Sequence, residues 1–382
     1  MHPLLRCMLF GLLIAACTAH EAFSLPRFSA RTGERCQSCH VNPMGRGIRT
    51  PSGAAFGRDD LPVPAWKDAV DFDSIGTSIA PTISIGTDVR TLYFYNESDK
   101  TGSFFQMEGN LYLDFRLNRK LRLSFSKGLY QGFELFALAR VLPAQGWIKA
   151  GKFVPAYGVR IDDHNAFIRG GRYSGAFFRA IPPGYPQGLR FGERAEDTGV
   201  EVGLAPSIFT LSAGLFNGTP GGGLTGTSGL KHYAAVLRGD ALIDMGPANL
   251  TVGGSFYNSP NNDVPGKTQF YGGFGMLGIG ASLVLIGEVD WLVSHVIDKE
   301  ATGRMVYSEV DYTIVDGFEL TAGYEFYDPD VSLGNGTVSS VNIGASFYPL
   351  SGVELRPFYR INREHPTEIT NNEFSVQMHF FF

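Results

Sequence analysis

Cysteine is nearly absent from this chain, with four among 382 residues, at positions 7, 17, 36 and 39. The first two fall in a stretch that reads as a secretory signal: Arg6 in a short basic start, an apolar run from Cys7 to Cys17, then Ala22, Phe23 and Ser24. Residues 1–24 are predicted to be removed, with Cys17 as the lipidated residue of a lipobox as the alternative. After cleavage only Cys36 and Cys39 remain, and an exported chain whose two cysteines are three apart has no disulfide framework. Long apolar runs are also missing beyond the signal, which excludes a transmembrane helix. A basic patch is missing too. Lys and Arg number 32 against 37 Asp and Glu, a formal net charge of −5, so no nucleic-acid partner is expected.

What the chain does have is glycine, 48 residues of it, 13% aromatic residues, and apolar residues that alternate with polar ones. In the stretch Val353 to Asn362, Val353, Leu355, Pro357, Tyr359 and Ile361 share one face and Glu354, Arg356, Phe358, Arg360 and Asn362 the other. Period two means strand. Sixteen such segments run over 79–96, 103–118, 120–130, 132–142, 146–154, 197–205, 208–217, 230–243, 247–257, 267–277, 279–291, 303–314, 317–327, 337–349, 352–362 and 371–382. Their connections sort by parity. Those after even-numbered segments are tight, such as Asn118-Arg119, Leu277-Gly278 and Val315-Asp316-Gly317, while most of the others are long, including Gly218–Gly229, Val293–Thr302 and Asp328–Gly336. A soluble sandwich has no reason to sort its loops this way, whereas an outer-membrane barrel does. The predicted fold is therefore all-β, an antiparallel transmembrane barrel of about sixteen strands over residues 77–382.

Alternation places Asp114, Arg116, Arg122, Glu201, Glu288, Asp290, Glu309, Asp311, Glu319, Glu325, Glu354, Arg356 and Arg360 on the inner face. The acids of strands eleven to thirteen are expected to attract cations there. In the last segment Phe374, Val376, Met378, Phe380 and Phe382 form the lipid-facing side. That ending resembles the C-terminal signal of outer-membrane barrel proteins, which implies insertion by the barrel-assembly machinery into outer-membrane lipid.

Residues 25–76 precede the barrel and contain Cys36-Gln37-Ser38-Cys39-His40. Two thiols at this spacing reach the two vinyl groups of one porphyrin edge, and the histidine that follows lies under the iron as proximal ligand. A local disulfide or a redox C-x-x-C is the competing reading, but His40 and the flanking Gly33, Pro43, Gly45 and Gly47 favour one covalent c-type haem. A segment of about fifty residues is too small to bury a porphyrin alone. The barrel must supply the rest of the pocket, so the segment is predicted to plug the lumen or sit at its periplasmic side.

Pro26, Phe28, Arg31, Gly33, Cys36, Cys39 and His40, with Pro43, Gly53 and Phe56 behind them, resemble the start of the fused cytochrome-porins, outer-membrane iron oxidases with a sixteen-stranded barrel. The match covers about thirty residues, and Pro43 falls one residue nearer His40 than in that pattern. The resemblance implies an outer-membrane electron conduit between an extracellular metal ion, iron in the family, and a periplasmic c-type cytochrome. A conduit to extracellular acceptors has the same layout. A solute porin with a haem-bearing plug or sensor is the alternative, and a haem peroxidase lacks a distal acid–base constellation.

The connection of about forty residues between segments five and six is either a constriction loop folded into the lumen or a metal-binding or haem-contacting site. Its Asp162, Asp163 and His164 offer oxygen and nitrogen ligands suited to ferrous iron. For the distal face of the haem the candidates are His164 and His379, with His232, Met107 and Met245 behind them and an open site as a further reading. Met44 lies too close to His40 in sequence to wrap to the opposite face of the porphyrin.

Overall fold

The computed structural model describes residues 26–66, 77–129, 132–161, 166–169, 181, 185–186, 188–189, 191, 195–218, 233–260, 267–296 and 299–382. The predicted signal and the junction at 67–76 lie outside these residues.

Sixteen strands form the wall: β1 Ile83–Asn96, β2 Thr101–Arg116, β3 Leu121–Gly128, β4 Phe133–Ala139, β5 Trp147–Phe153, β6 Asp197–Leu204, β7 Phe209–Phe216 and β8 Ala234–Asp244 make the first half. The second half is β9 Ala248–Pro260, β10 Lys267–Ile279, β11 Leu283–Val296, β12 Lys299–Val315, β13 Phe318–Asp328, β14 Thr337–Leu350, β15 Val353–His365 and β16 Glu373–Phe381. Each pairs antiparallel with its neighbours in sequence, and β16 returns to β1 with Phe380 opposite Val89, so the sheet closes on itself and leaves no edge. The short strand Ser78–Ala80 pairs only with β1.

Every predicted segment overlaps one of these strands, in order, though several strands run a few residues past the predicted ends, because period-two patterning is a local property that lipid on one side and protein on the other both enforce. Three connections differ from expectation. The β10–β11 turn falls at 280–282, not at Leu277-Gly278, because Gly280 at φ 56° takes the left-handed corner and the strand runs on to Ile279. Two connections expected to be long are short: β1 and β2 are separated only by residues 97–100, and β11 and β12 only by 297–298. There the strands extend past the belt that lipid requires.

The outer face is apolar and exposed, with Leu237, Leu320, Val341, Ile343 and the stacked pair Tyr271 and Trp291 on it. Phe374, Met378, Phe380 and Phe382 join it, while Phe381 turns inward and is buried. The inner charged residues are buried too, apart from Arg116 at the rim and half-buried Arg122. The inner face is not polar throughout, however. Phe136, Phe153, Phe216, Tyr257 and Phe270 pack inside, in one cluster with Tyr157 and Phe191 of the long β5–β6 connection. That connection folds into the lumen, so this half of the wall meets protein rather than water.

Candidate functional site

The segment ahead of the barrel forms three short helices, α1 Pro26–Thr32, α2 Cys36–Cys39 and α3 Pro51–Asp59. Proline begins two of them, where its missing N–H costs nothing, and the Thr50 hydroxyl caps α3 by accepting from the Gly53 N–H at 3.2 Å. Helices this short are not stable alone. They are held by the wall. Phe28 meets Phe56 edge to face at 5.2 Å, and both pack with Leu61, Tyr348 and Phe381; burying each ring contributes about 1.5–3 kcal/mol. Arg27 and Arg31 flank the Phe28 ring at 5.1 and 5.0 Å and reach past it to the barrel. Arg27 donates to the Tyr348 hydroxyl at 2.7 Å, and Arg31 to Glu319 at 2.6 Å. The residues of the Pro-x-Phe-x-x-Arg stretch are thus the plug's anchors.

The two cysteines occupy one helical turn and form no disulfide. Cys39 is fully buried, Cys36 is half-buried, and burial pushes both thiols above their ordinary values. The His40 N–H donates to the Cys36 carbonyl at 2.9 Å, which closes the turn. Two glycines permit this packing. A Cβ at Gly53 would stand 2.4 Å from the Cys39 carbonyl oxygen, and Gly45, at φ 82°, lies where a Cβ would come 3.7 Å from the Cys36 sulfur and 4.0 Å from the His40 ring. Asn42 accepts from Lys149, a fully buried lysine of β5 that also pairs with Glu201 at 2.9 Å and stands 4.1 Å from the Phe153 ring centre.

Cys36 and His40 open onto a cavity of about 1520 Å³, counted with its mouth, between the plug, the long connection and the wall. Phe28, Phe56, Tyr112, Phe191 and Phe381 give it apolar sides, and Met44 and Met276 give it two thioethers. Six arginines line it against three carboxylates, Asp88, Glu108 and Glu354. The α2 turn lies at the rim of short turns, where Gln37 donates to Gln145 at 2.8 Å and Arg35 to the Ala205 carbonyl at 3.2 Å.

His379 points inward as alternation predicts, and it lines the same cavity. Both ring nitrogens are already engaged, Nδ1 with Glu354 at 3.1 Å and Nε2 with Asp88 at 3.0 Å. In this arrangement it braces two wall carboxylates and has no nitrogen left for a metal. Met245 is exposed at a turn, and Met107 is the extra residue of a bulge between Glu108 and Gln106. Asp162, Asp163, His164 and His232 lie outside the described residues.

The acids of β11 to β13 are not an open cation-attracting wall. Glu288 accepts from the Val159 N–H at 2.7 Å, Asp290 from the Tyr157 hydroxyl at 2.8 Å, Glu325 from the Phe167 N–H at 2.9 Å, and Glu319 from Arg31. They tether the long connection and the plug. Arg169 stands out in the sequence of the long connection and does line the cavity, but sequence reasoning missed Arg160, Lys149 and Met276, because nothing local shows that a loop residue or a plain alternating strand position will face the interior.

Solved structures that resemble the chain include outer-membrane proteins and porins. The outer-membrane channel DcaP of Acinetobacter baumannii aligns with a TM-score of 0.56 at 12% identity, over 80% of this chain and 99% of that one. A loop-deletion mutant of OmpT of Vibrio cholerae gives 0.54 at 15%, over 79% and 99%, and an anion-selective porin from Comamonas acidovorans gives 0.54 at 13%, over 79% and 99%. The fold is a porin barrel. No family model and no curated protein matches the chain. At such identities the likeness concerns architecture, and what distinguishes this barrel lies in its plug.

Proposed function

We propose that this barrel is an outer-membrane electron conduit carrying one c-type haem in its plug. The observation that carries the reading is the placement of Cys36 and His40: in a C-x-x-C-H turn that forms no disulfide, these two residues line a cavity with apolar sides inside a porin barrel, with Cys39 buried next to them in the same turn. The donor set and the space fit the group. When bound, the haem supplies a one-electron carrier.

The residues divide the remaining work. Cys36 and Cys39 hold the porphyrin edge covalently, and His40 holds the iron from the proximal side. With His379 committed to Asp88 and Glu354 and Met44 too close to His40 to reach the opposite face, Met276 is the thioether that lines the cavity from the wall and would hold the iron from the distal side. The plug and the long connection exclude water and solutes from the lumen. Half-buried Cys36 at the rim of short turns leaves the attached edge near the periplasmic side, where a c-type cytochrome would exchange electrons. Iron outside the cell is the proposed donor or acceptor, with Asp162, Asp163 and His164 of the long connection as its proposed ligands.

The test is an absorbance spectrum of the purified protein before and after ferrous iron is added, with haem staining on a denaturing gel. Covalent haem that becomes reduced is expected. Protein without stainable haem, and with porin-sized conductance in a planar bilayer, would leave the solute-porin alternative in its place.

A further inference from the structure

Two arginines of the β5–β6 connection have no role in the account so far. Arg169 lies on a single 3-10 turn, Phe167–Arg169, is 7% exposed and lines the cavity. Its Nη1 donates to the Ile168 carbonyl at 3.1 Å, while Nε and Nη2 have no hydrogen-bond partner among the described residues. Arg160 lines the same cavity and spends its donors on backbone carbonyls, Val154 at 2.9 Å, Pro155 at 3.1 Å and Gly45 at 3.4 Å. Among the described residues no carboxylate pairs with either. Three other cavity arginines do have such partners: Arg49 has Asp88 at 3.1 Å, Arg90 has Glu108 at 3.1 Å, and Arg238 has Asp240. Glu288 and Asp290, whose charges act on Arg169, accept from Val159 and Tyr157 through one oxygen each, and neither forms an ion pair with Arg169 among the described residues.

Buried guanidinium donors without acceptors are strongly disfavoured, and the free Nε and Nη2 of Arg169 form a planar fork that matches a carboxylate, with the charge of Arg160 lining the same cavity. Burial and the neighbouring charge of Arg46 push the Arg160 guanidinium down to about 10, and burial lowers that of Arg169 as well.

We propose that Arg160 and Arg169 form the site for two ligand carboxylates, the propionates of the haem attached at Cys36 and Cys39. This rests on the haem reading above. Porphyrin chemistry sets the orientation, since thioethers form on the vinyl edge and the propionates stand on the edge opposite. The cysteines lie at the rim of short turns, and the arginines lie on a connection that enters the lumen from the other rim. The propionates would then be held from the side of the long connection.

The experiment compares the haem-loaded parent with Arg160→Gln/Arg169→Gln and Arg160→Lys/Arg169→Lys. Haem staining comes first, because a parent without covalent haem overturns the haem reading, whereas stained variants test this site alone. The expected result is a lower midpoint potential in the Gln pair, since removing positive charge favours ferric iron, with a shift of the propionate bands in redox-difference infrared spectra. The Lys pair keeps the charge but not the planar fork, so its bands shift while its midpoint stays near the parent's. A stained Gln pair with parental midpoint and bands overturns the proposal; should that pair fail to assemble, parental bands in the Lys pair do so. Inorganic phosphate is the probe for a free anion. If phosphate shifts the parent's midpoint and the Gln pair, with parental bands, loses that shift, the arginines hold a mobile anion and the proposal falls.

Discussion

Arg31 donates to Glu319 over 2.6 Å, joining the first helix of the plug to the wall at β13. Glu319 also lies 3.5 Å from Arg27, so one wall carboxylate receives both plug arginines. Removing one partner of a buried pair costs about 3–5 kcal/mol, and the Arg31 side chain, 15% exposed, places its loss near the lower end. Arg31→Ala is expected to loosen the plug. Single-channel recordings should show openings that the parent lacks, and identical recordings would mean that Arg31 does not hold the plug closed.

Gly53 has no room for a side chain, because its Cβ would meet the Cys39 carbonyl at 2.4 Å. Gly53→Ala must push α3 away from the α2 turn and disturb the closure of the cavity behind His40. Haem staining and heat-modifiable mobility, measured together, should show a barrel that still folds with haem content reduced several-fold. Parental haem content would show that the turn tolerates the displacement.

His379 separates two buried carboxylates, Asp88 and Glu354. His379→Gln keeps hydrogen-bonding capacity but not positive charge, leaving the acids to repel each other at a cost of about 1–3 kcal/mol. A lower unfolding midpoint in urea is expected with an unchanged haem spectrum. A changed spectrum would instead make His379 an axial ligand.

Phe382 exchanges two backbone hydrogen bonds with Thr87, each 3.2 Å, and its carbonyl accepts from Arg49 at 3.3 Å. Deleting it removes the last rung of the seam between β16 and β1 and a tie to the plug. Slower folding, followed by heat-modifiable mobility, is the expected outcome, and parental kinetics would show that the seam closes without it.

Cys39 is fully buried, and its folded thiol is raised above the ordinary value, first by burial and then by Cys36 and Glu34. A raised thiol stays protonated at pH values where an unfolded cysteine has ionised. In haem-free folded protein, alkylation by iodoacetamide at mildly alkaline pH should therefore be at least tenfold slower than in urea. Equal rates would place the thiol in solvent.

Strand number, order, face and the tight-turn rim were all legible in the sequence, because a strand between lipid and lumen must alternate residue by residue and each turn is a local event. The turn at Cys36–Cys39 is local in the same way, since its two cysteines and His40 lie within about one turn of helix. The cavity was not legible. It is made by Cys36 and His40 from the plug, Arg160 and Arg169 from a connection that folds inward, and Met276, Glu354 and His379 from distant strands, brought together over as many as 343 positions between Cys36 and His379. Alternation determines that Glu288 and Glu319 point inward, but whether they meet water, a cation, a backbone N–H or Arg31 depends on what fills the lumen. Only the closed barrel decides that, because burial and pairing are properties of the enclosed volume and not of any one strand.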